Sequence, residues 1–165
     1  MKKILSDKIV RIIKNKKRLE KNLNVKITNR GKEVFIEGGS EDEYYAEKVI
    51  DALNFGFSFA TSMLIKKENY IFEILNIKDY TKRKDLESVR ARIIGKGGKT
   101  LKALQGLTKC SFELKENNVG IIGDSEYIKN AQEAIIAIIR GAKQSNVYSF
   151  LEKNQVKSII DLGLK

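Results

Sequence analysis

The sequence predicts an α+β fold in which a strand–helix–helix–strand–strand–helix unit occurs twice, the helices packed on one face of small three-stranded sheets. Three observations predict it. The chain repeats itself: Arg11-Ile12-Ile13-Lys14 returns as Arg92-Ile93-Ile94-Gly95, 81 positions later. Gly38, Ser40, Glu41, Ala46, Ile50 and Gly56 return as Gly123, Ser125, Glu126, Ala131, Ile135 and Gly141, 85 positions later, so the second copy is four residues longer between the two blocks. Within each copy, short apolar runs bounded by turn residues alternate with stretches of helical period. Finally, 165 residues that are 42% apolar suffice for one ordinary domain or two small ones with packed cores.

Each copy opens on a strand, Lys3-Ile4-Leu5 in the first and Tyr70 to Ile77 in the second. A short helix follows, over Asp7–Ile13 and Asp85–Ile94, and leads through a loop to a second helix. In copy two that helix carries Leu101, Leu104 and Leu107 at helical spacing. A strand pair comes next: Val25–Thr28 with Val34–Glu37, then Cys110–Leu114 with Val119–Ile122. Arg30-Gly31-Lys32 turns the first pair and Glu116-Asn117-Asn118 the second. A long helix closes each copy, with Ser40 and Ser125 as N-cap candidates. Val49, Ile50 and Leu53 mark the buried face of the first closing helix, and Ile128, Ala131, Ile135, Ile138 and Ile139 that of the second. This divides the chain into 1–64, 65–144 and a basic C-terminal helix or tail, 145–165.

Charge narrows the function. Lys and Arg number 32 against 21 Asp and Glu, a net +11. A fold does not need that excess, whereas a polyanion partner does, because each neutralised phosphate releases counterions. The single Cys110 rules out an internal disulfide. With no signal peptide, an intracellular, cytoplasmic chain is expected, nuclear or nucleolar as well in a eukaryotic source. The longest apolar run, Ala134–Ile139, is too short for a bilayer, so no membrane is expected. Histidine is absent, which removes the commonest general base and zinc ligand. No catalytic residue, metal or cofactor is expected.

The segment that carries chemistry is Ile94-Gly95-Lys96-Gly97-Gly98-Lys99-Thr100, between two helices. Glycines at 95 and 98 permit a tight turn with exposed backbone N–H groups. The helix that starts at once adds its positive dipole end, and Lys96 and Lys99 add full charges. Such a loop holds phosphates without reading bases. Bases would lie in an apolar groove beside it, made by Ile93, Ile94, Leu101, Leu104 and the strand Ser111–Leu114, with Arg90 and Arg92 in reach of phosphates or bases. Gly98-Lys99-Thr100 ends like a P-loop, but Ile93 stands where the first P-loop glycine belongs, and Ser88–Arg92 is too charged for the buried strand that should precede it.

In the first copy Lys14-Asn15-Lys16-Lys17 occupies the place of the loop, with lysine at both glycine positions. With Arg11 and Arg18 these lysines form a dense basic cluster, either an electrostatic RNA contact without a clamp or a protein-docking face. Phe55, Phe57 and Phe59 suit packing between the two halves better than a stacking platform for bases. Cys110 suits an inert core thiol, and Lys82-Arg83-Lys84 a solvated loop.

These features resemble the tandem type I KH proteins of ribosomal RNA processing, the archaeal partner-of-Nob-one or Dim-two-like family. The resemblance rests on Arg92–Thr100, on Val119-Gly120-Ile121-Ile122-Gly123, on Arg140-Gly141-Ala142 with Val147-Tyr148 and Leu151-Glu152-Lys153, and on Gly56-Phe57-Ser58 with Met63-Leu64 as connector. It implies two KH domains and a grip on single-stranded RNA by the loop at Gly95–Gly98, near the 3′ region of small-subunit ribosomal RNA. It also implies the Nob-one endonuclease and translation initiation factor two as partners, with this chain a monomer that does not itself cut. The lysines at 14 and 17 depart from the archaeal pattern. Thr100–Leu104 and Leu107–Cys110 look more like the sister factor Krr-one, whose implied role includes protein–protein adaptor work in ribosome biogenesis or translation initiation.

Overall fold

The computed structural model describes residues 1–155. The chain forms two compact units, Met1–Phe72 and Glu73–Lys165. The first contains β1 (Lys2–Leu5), α1 (Ile9–Leu23), β2 (Lys26–Arg30), β3 (Glu33–Glu37), α2 (Ser40–Phe55) and the short α3 (Phe59–Met63). β4 (Tyr70–Asn76) leads into the second, with α4 (Leu86–Ile94), α5 (Lys99–Thr108), β5 (Ser111–Lys115), β6 (Asn118–Asp124), α6 (Ser125–Ile139) and α7 (Gln144–Lys153). The expected α+β architecture is present. Each sheet has three strands with the last-entered strand in the middle, β1-β3-β2 and β4-β6-β5. The hairpins are antiparallel, with Lys26 opposite Glu37 and Ser111 opposite Ile122. Residues 156–165, the end of the expected basic tail, lie outside the described residues.

The expected order of elements fails in the first unit. The first unit is βαββα, not βααββα, because α1 runs unbroken through Lys14-Asn15-Lys16-Lys17. Nothing in that stretch breaks a helix, and Ile12, Leu19 and Leu23 keep one buried face in register across it. Downstream of it the two units match at an offset of 85 residues. Asn24 and Lys109 end α1 and α5 in the left-handed conformation, at φ 53° and 57°. The Glu20 carboxylate accepts from Ile27 N–H at 2.9 Å, and the Gln105 side-chain oxygen accepts from Phe112 N–H at 3.2 Å. Upstream, the match is at 81. The four residues by which the copies differ are therefore those between α4 and α5, Gly95 to Gly98. The first unit lacks the loop; it does not carry a substituted one.

The same arginine ties helix to helix in both units. Arg11 donates to the carbonyls of Leu53 at 2.6 Å and Phe57 at 2.7 Å. Arg92 donates to the carbonyls of Ile138 at 2.6 Å and Ala142. These are last-turn and post-helix carbonyls at the end of the closing helix; those of Leu53 and Ile138 also accept from the N–H groups of Gly56 and Gly141, at 3.2 and 3.1 Å. Gly38 and Gly123 let the end of each middle strand approach the residue that follows α1 or α5. A Cβ on Gly123 would stand 2.4 Å from Cys110 Sγ, and one on Gly38 3.0 Å from Val25 Cγ1. The closing helices are not capped by serine: the N-caps are Gly39, with no side-chain bond, and Asp124, which accepts from Glu126 N–H.

Arg92→Lys removes one of the two donations and leaves a post-helix carbonyl unpaired. It is expected to lower unfolding free energy by about 2–3 kcal/mol with an unchanged denaturant slope, measured by urea titration. Asp51 on α2 is half-buried; burial first, then Glu47 one turn earlier, raises its carboxyl from 3.8 to about 6, against the pull of Lys48. The folded state thus holds this proton more tightly than the unfolded state. Its penalty on stability is absent below the unfolded value and grows as pH rises through the folded one. Asp51→Asn is expected to stabilise the protein by about 1 kcal/mol at neutral pH, allowing for screening at a partly exposed site. At a pH below the unfolded value it should change nothing, and an equal gain at both would contradict this account.

Candidate nucleic-acid interface

The loop between α4 and α5 is built by three consecutive demands on the backbone. Gly95 follows α4 at φ 76°, ψ 170°, a region that side chains exclude. Its N–H still bonds Ala91 at 2.8 Å, so the helix ends there and nowhere earlier. A Cβ at Gly95 would lie 2.1 Å from Thr100 Oγ1, so close packing requires glycine a second time. Gly98 N–H then returns to the Gly95 carbonyl at 3.1 Å, closing a 3-10 turn over Lys96–Gly98. Gly97 and Gly98 both have positive φ, 61° and 78°, with open space around them. The sequence suggests glycine for 95 and 98; the structure adds 97.

α5 then starts at Lys99 with Gly98 as an N-cap that offers no side-chain acceptor. The first N–H groups of α5 accordingly lack a capping partner. Lys96 and Lys99 are exposed beside them, and neither is ion-paired among the described residues. Backbone donors, a helix N-terminus and two cations meet in a few residues, an arrangement matched to a phosphate.

The other residues expected at this site divide sharply. Ile94 is exposed and Leu101 half-buried, so both can line a groove. Ile93 and Leu104 are fully buried and Thr100 nearly so: they are core residues that hold the loop and do not face a ligand. Arg92 is spent on α6, as above. Arg90 donates to the Glu116 carbonyl at 3.3 Å and the Asn117 side-chain oxygen at 2.9 Å, which anchors the β5–β6 turn. Gln105, which the sequence reading passed over, pins α5 along edge strand β5; its match to Glu20 at the repeat distance was the available signal. Phe112 N–H points out to Gln105, so Phe112 and Leu114 turn their peptide groups to the open edge of the sheet.

The basic cluster of the first unit is also redistributed. Arg11 points inward to its two carbonyls, and Arg18 lies 4.1 Å over the Phe59 ring and bonds Asn15. Lys14 and Lys17 remain exposed on α1, with Lys16 half-buried. Phe55 and Phe57 are buried, stacked on each other and edge-on to Phe72, so they offer no face to bases. Cys110 is buried and its thiol is pushed up to about 11 by that burial. Among the described residues no group of His, Cys, Asp and Glu could hold a metal, and no helix is long and apolar enough to cross a membrane.

Comparison with known proteins bears on this geometry. Residues 71–156, just over half of the chain, match the model of the second PNO1 domain, a eukaryotic-type (type I) KH domain. A KH domain-containing protein of Methanocaldococcus jannaschii is 29% identical over 149 residues, covering 86% of this chain and 66% of its own length. The pre-rRNA-processing protein pno1 of Emericella nidulans is 30% identical over 111 residues, 65% of this chain and 43% of its own. The chain thus spans less than two thirds of the length of these relatives. The crystal structure of Dim2p from Pyrococcus horikoshii superposes with a TM-score of 0.84 at 29% identity, over 93% of this chain and 98% of that one. A chain in the a/eIF2alpha–aDim2p–rRNA complex of the same organism gives 0.84 at 28%, over 92% of each. The α+β units of this chain match a KH fold, and the chain belongs to the PNO1-type KH-domain family.

Proposed function

We propose that this protein binds single-stranded RNA in pre-rRNA processing, and that it holds the 3′ region of small-subunit ribosomal RNA near its processing site. The carrying observation is the loop Gly95–Gly98: uncapped N–H groups of α5 flanked by two unpaired lysines. It would clamp phosphates, while bases lie against Ile94, Leu101 and the edge of β5. The site residues are then Ile94 to Lys99 with Leu101, supported from beneath by Ile93, Thr100 and Leu104. The relatives processing pre-rRNA and the rRNA present in the Pyrococcus complex support this reading. That complex also contains a/eIF2alpha, which supports translation initiation factor two as a partner. The Nob-one endonuclease is proposed on the family resemblance. In this reading the chain carries two tandem type I KH folds, the first having lost its loop, and works by holding RNA without cutting it.

A second reading has its own observation. Val10 and Ile13 on α1 are 60% and 50% exposed, an apolar face that water does not favour. It suits a first unit that docks protein, and hence an adaptor.

Lys96→Glu with Lys99→Glu tests the choice. Lys99 opens α5 and Lys96 stands in the exposed turn just before it, where acidic side chains favour the helix that follows, so the fold should survive. Binding to a short strand copying the 3′ end of small-subunit RNA is measured by anisotropy against a scrambled strand, at two salt concentrations. The variant is expected to bind at least about tenfold more weakly, with the salt slope reduced by roughly 1.4, about 0.7 for each lost phosphate contact. Equal binding by both proteins would mean the loop is not the clamp, and the adaptor reading would lead.

A further inference from the structure

The loop before α4 carries Lys82-Arg83-Lys84, which the site at Gly95–Gly98 does not use. In the structure Arg83 reaches the α6–α7 turn: its Nη2 lies 3.9 Å from where a Cβ would stand on Gly141. Arg140, which opens that turn, holds its guanidinium 5.8 Å from the centroid of the Tyr80 ring, at the start of the loop before α4. The loop and the turn therefore meet through two guanidinium groups. The turn is joined in addition to the last residues of α4. Arg92 donates to the Ile138 carbonyl, and the Gln144 amide donates to the Arg92 carbonyl at 3.4 Å. Arg92 precedes Gly95 by three residues, about 4.5 Å along the helix. Lys143 is next to Gln144, so the turn that carries it is tied to the helix end that leads into the loop.

Arg83, Arg140 and Lys143 are all exposed, and none is ion-paired among the described residues. The C-terminal dipole of α6 accounts for one cation, Arg140. It does not account for Arg83, which a separate loop brings against an end already occupied by positive charge. Like charges gathered this way repel unless an anion joins them. Guanidinium groups suit phosphate oxygens, which they meet with paired donors. Tyr80–Lys84 and Arg140–Lys143 contribute no strongly exposed large apolar side chain, so a membrane surface has nothing there to insert.

We propose that this basic corner is a second phosphate site for the same RNA strand that the Gly95–Gly98 loop holds, so that the footprint extends past the loop onto the α6–α7 turn. The proposal rests on the RNA-binding reading above. A KH loop of this kind spans about four nucleotides; a strand of that length would stay on the loop, and a longer one would reach the corner.

The test uses the full chain, with four- and ten-nucleotide strands from the 3′ end of small-subunit RNA, and the triple variant Arg83→Glu, Arg140→Glu, Lys143→Glu. Wild type is expected to bind the longer strand at least about tenfold tighter, with a steeper salt dependence. The triple variant should bind the short strand within about twofold of wild type and lose the gain on the longer one, by the same counting of phosphate contacts. The glutamine triple variant, which adds no negative charge, should show the same ordering with a smaller loss. If the long-strand gain persists in both variants, or both strands weaken equally, the corner is not a second site. If wild type binds neither strand, the RNA-binding reading fails and this proposal with it. If wild type binds the short strand and the variants leave the long one unchanged, only this proposal fails.

Discussion

A functional loop between two helices is useful only if both helices are fixed, and in each unit an arginine does much of that fixing. A helix ends with carbonyls that have no partner within it, and a buried carbonyl left alone costs about 1–3 kcal/mol. Arg11 and Arg92 each meet two carbonyls at such a helix end, one of them shared with a backbone N–H, with a planar fork whose donors are held at a set spacing. The closing helix is thereby placed against the first one at its end. Gln105 then sets α5 along β5, as Glu20 sets α1 along β2. In the second unit, α4 and α5 are thus held by separate contacts, α4 through Arg92 and α5 through Gln105.

That independence explains why four residues decide what a unit can do. In the second unit the two helices stop short of each other, and Gly95, Gly97 and Gly98 bridge the gap at φ values that other residues avoid. The bridge exposes the start of a helix. In the first unit the gap is closed, and the same supports hold one continuous helix whose interior N–H groups are all consumed by i→i−4 bonds. Lysine cannot replace what is lost. A side-chain ammonium supplies charge at the end of a flexible stem, whereas a helix start supplies several fixed donors that converge on one oxyanion. The first unit keeps its tie, its hairpin and its closing helix, so its stability does not depend on the loop.

Much of this was legible in the residues themselves. The α+β class, the order of elements in the second unit and the glycine loop follow from period, turn chemistry and an internal repeat. The two repeat distances even contain the deletion, since their difference equals the length of the loop. Reading Lys14–Lys17 as a loop missed it because the alignment of Arg11–Lys14 with Arg92–Gly95 suggests a residue-for-residue substitution. Sequence could not separate Ile93 from Ile94, or Leu101 from Leu104. Adjacent apolar residues on a helix differ by about 100° in direction, and only the position of the sheet and closing helix decides which is buried. Arg90 and Arg92 show a related ambiguity. A basic residue near a phosphate site is as useful for holding backbone carbonyls as for holding phosphate, and the two uses leave the same letter in the sequence.

The distinction between these uses also explains how a net charge of +11 is deployed. Arginines carry much of the internal work: Arg11 and Arg92 hold carbonyls, Arg90 holds a turn, and Arg18 rests on Phe59. Lysines carry the exposed charge, at Lys14 and Lys17 on α1 and at Lys96 and Lys99 beside the glycines. A guanidinium is weakly hydrated and geometrically rigid, so it tolerates partial burial against oxygen atoms; an ammonium is strongly hydrated and stays in water. Exposed lysines are then free to exchange water and counterions for phosphate. Their field decays over about 8–10 Å at physiological salt, so exposed lysines act at longer range than a hydrogen bond and in a salt-dependent way. The fixed N–H groups at the start of α5 act only at hydrogen-bond distance, so the two kinds of donor differ in range as well as in geometry. The first unit has exposed lysines and no such uncapped helix start, which is the structural difference four residues make between the two halves of this chain.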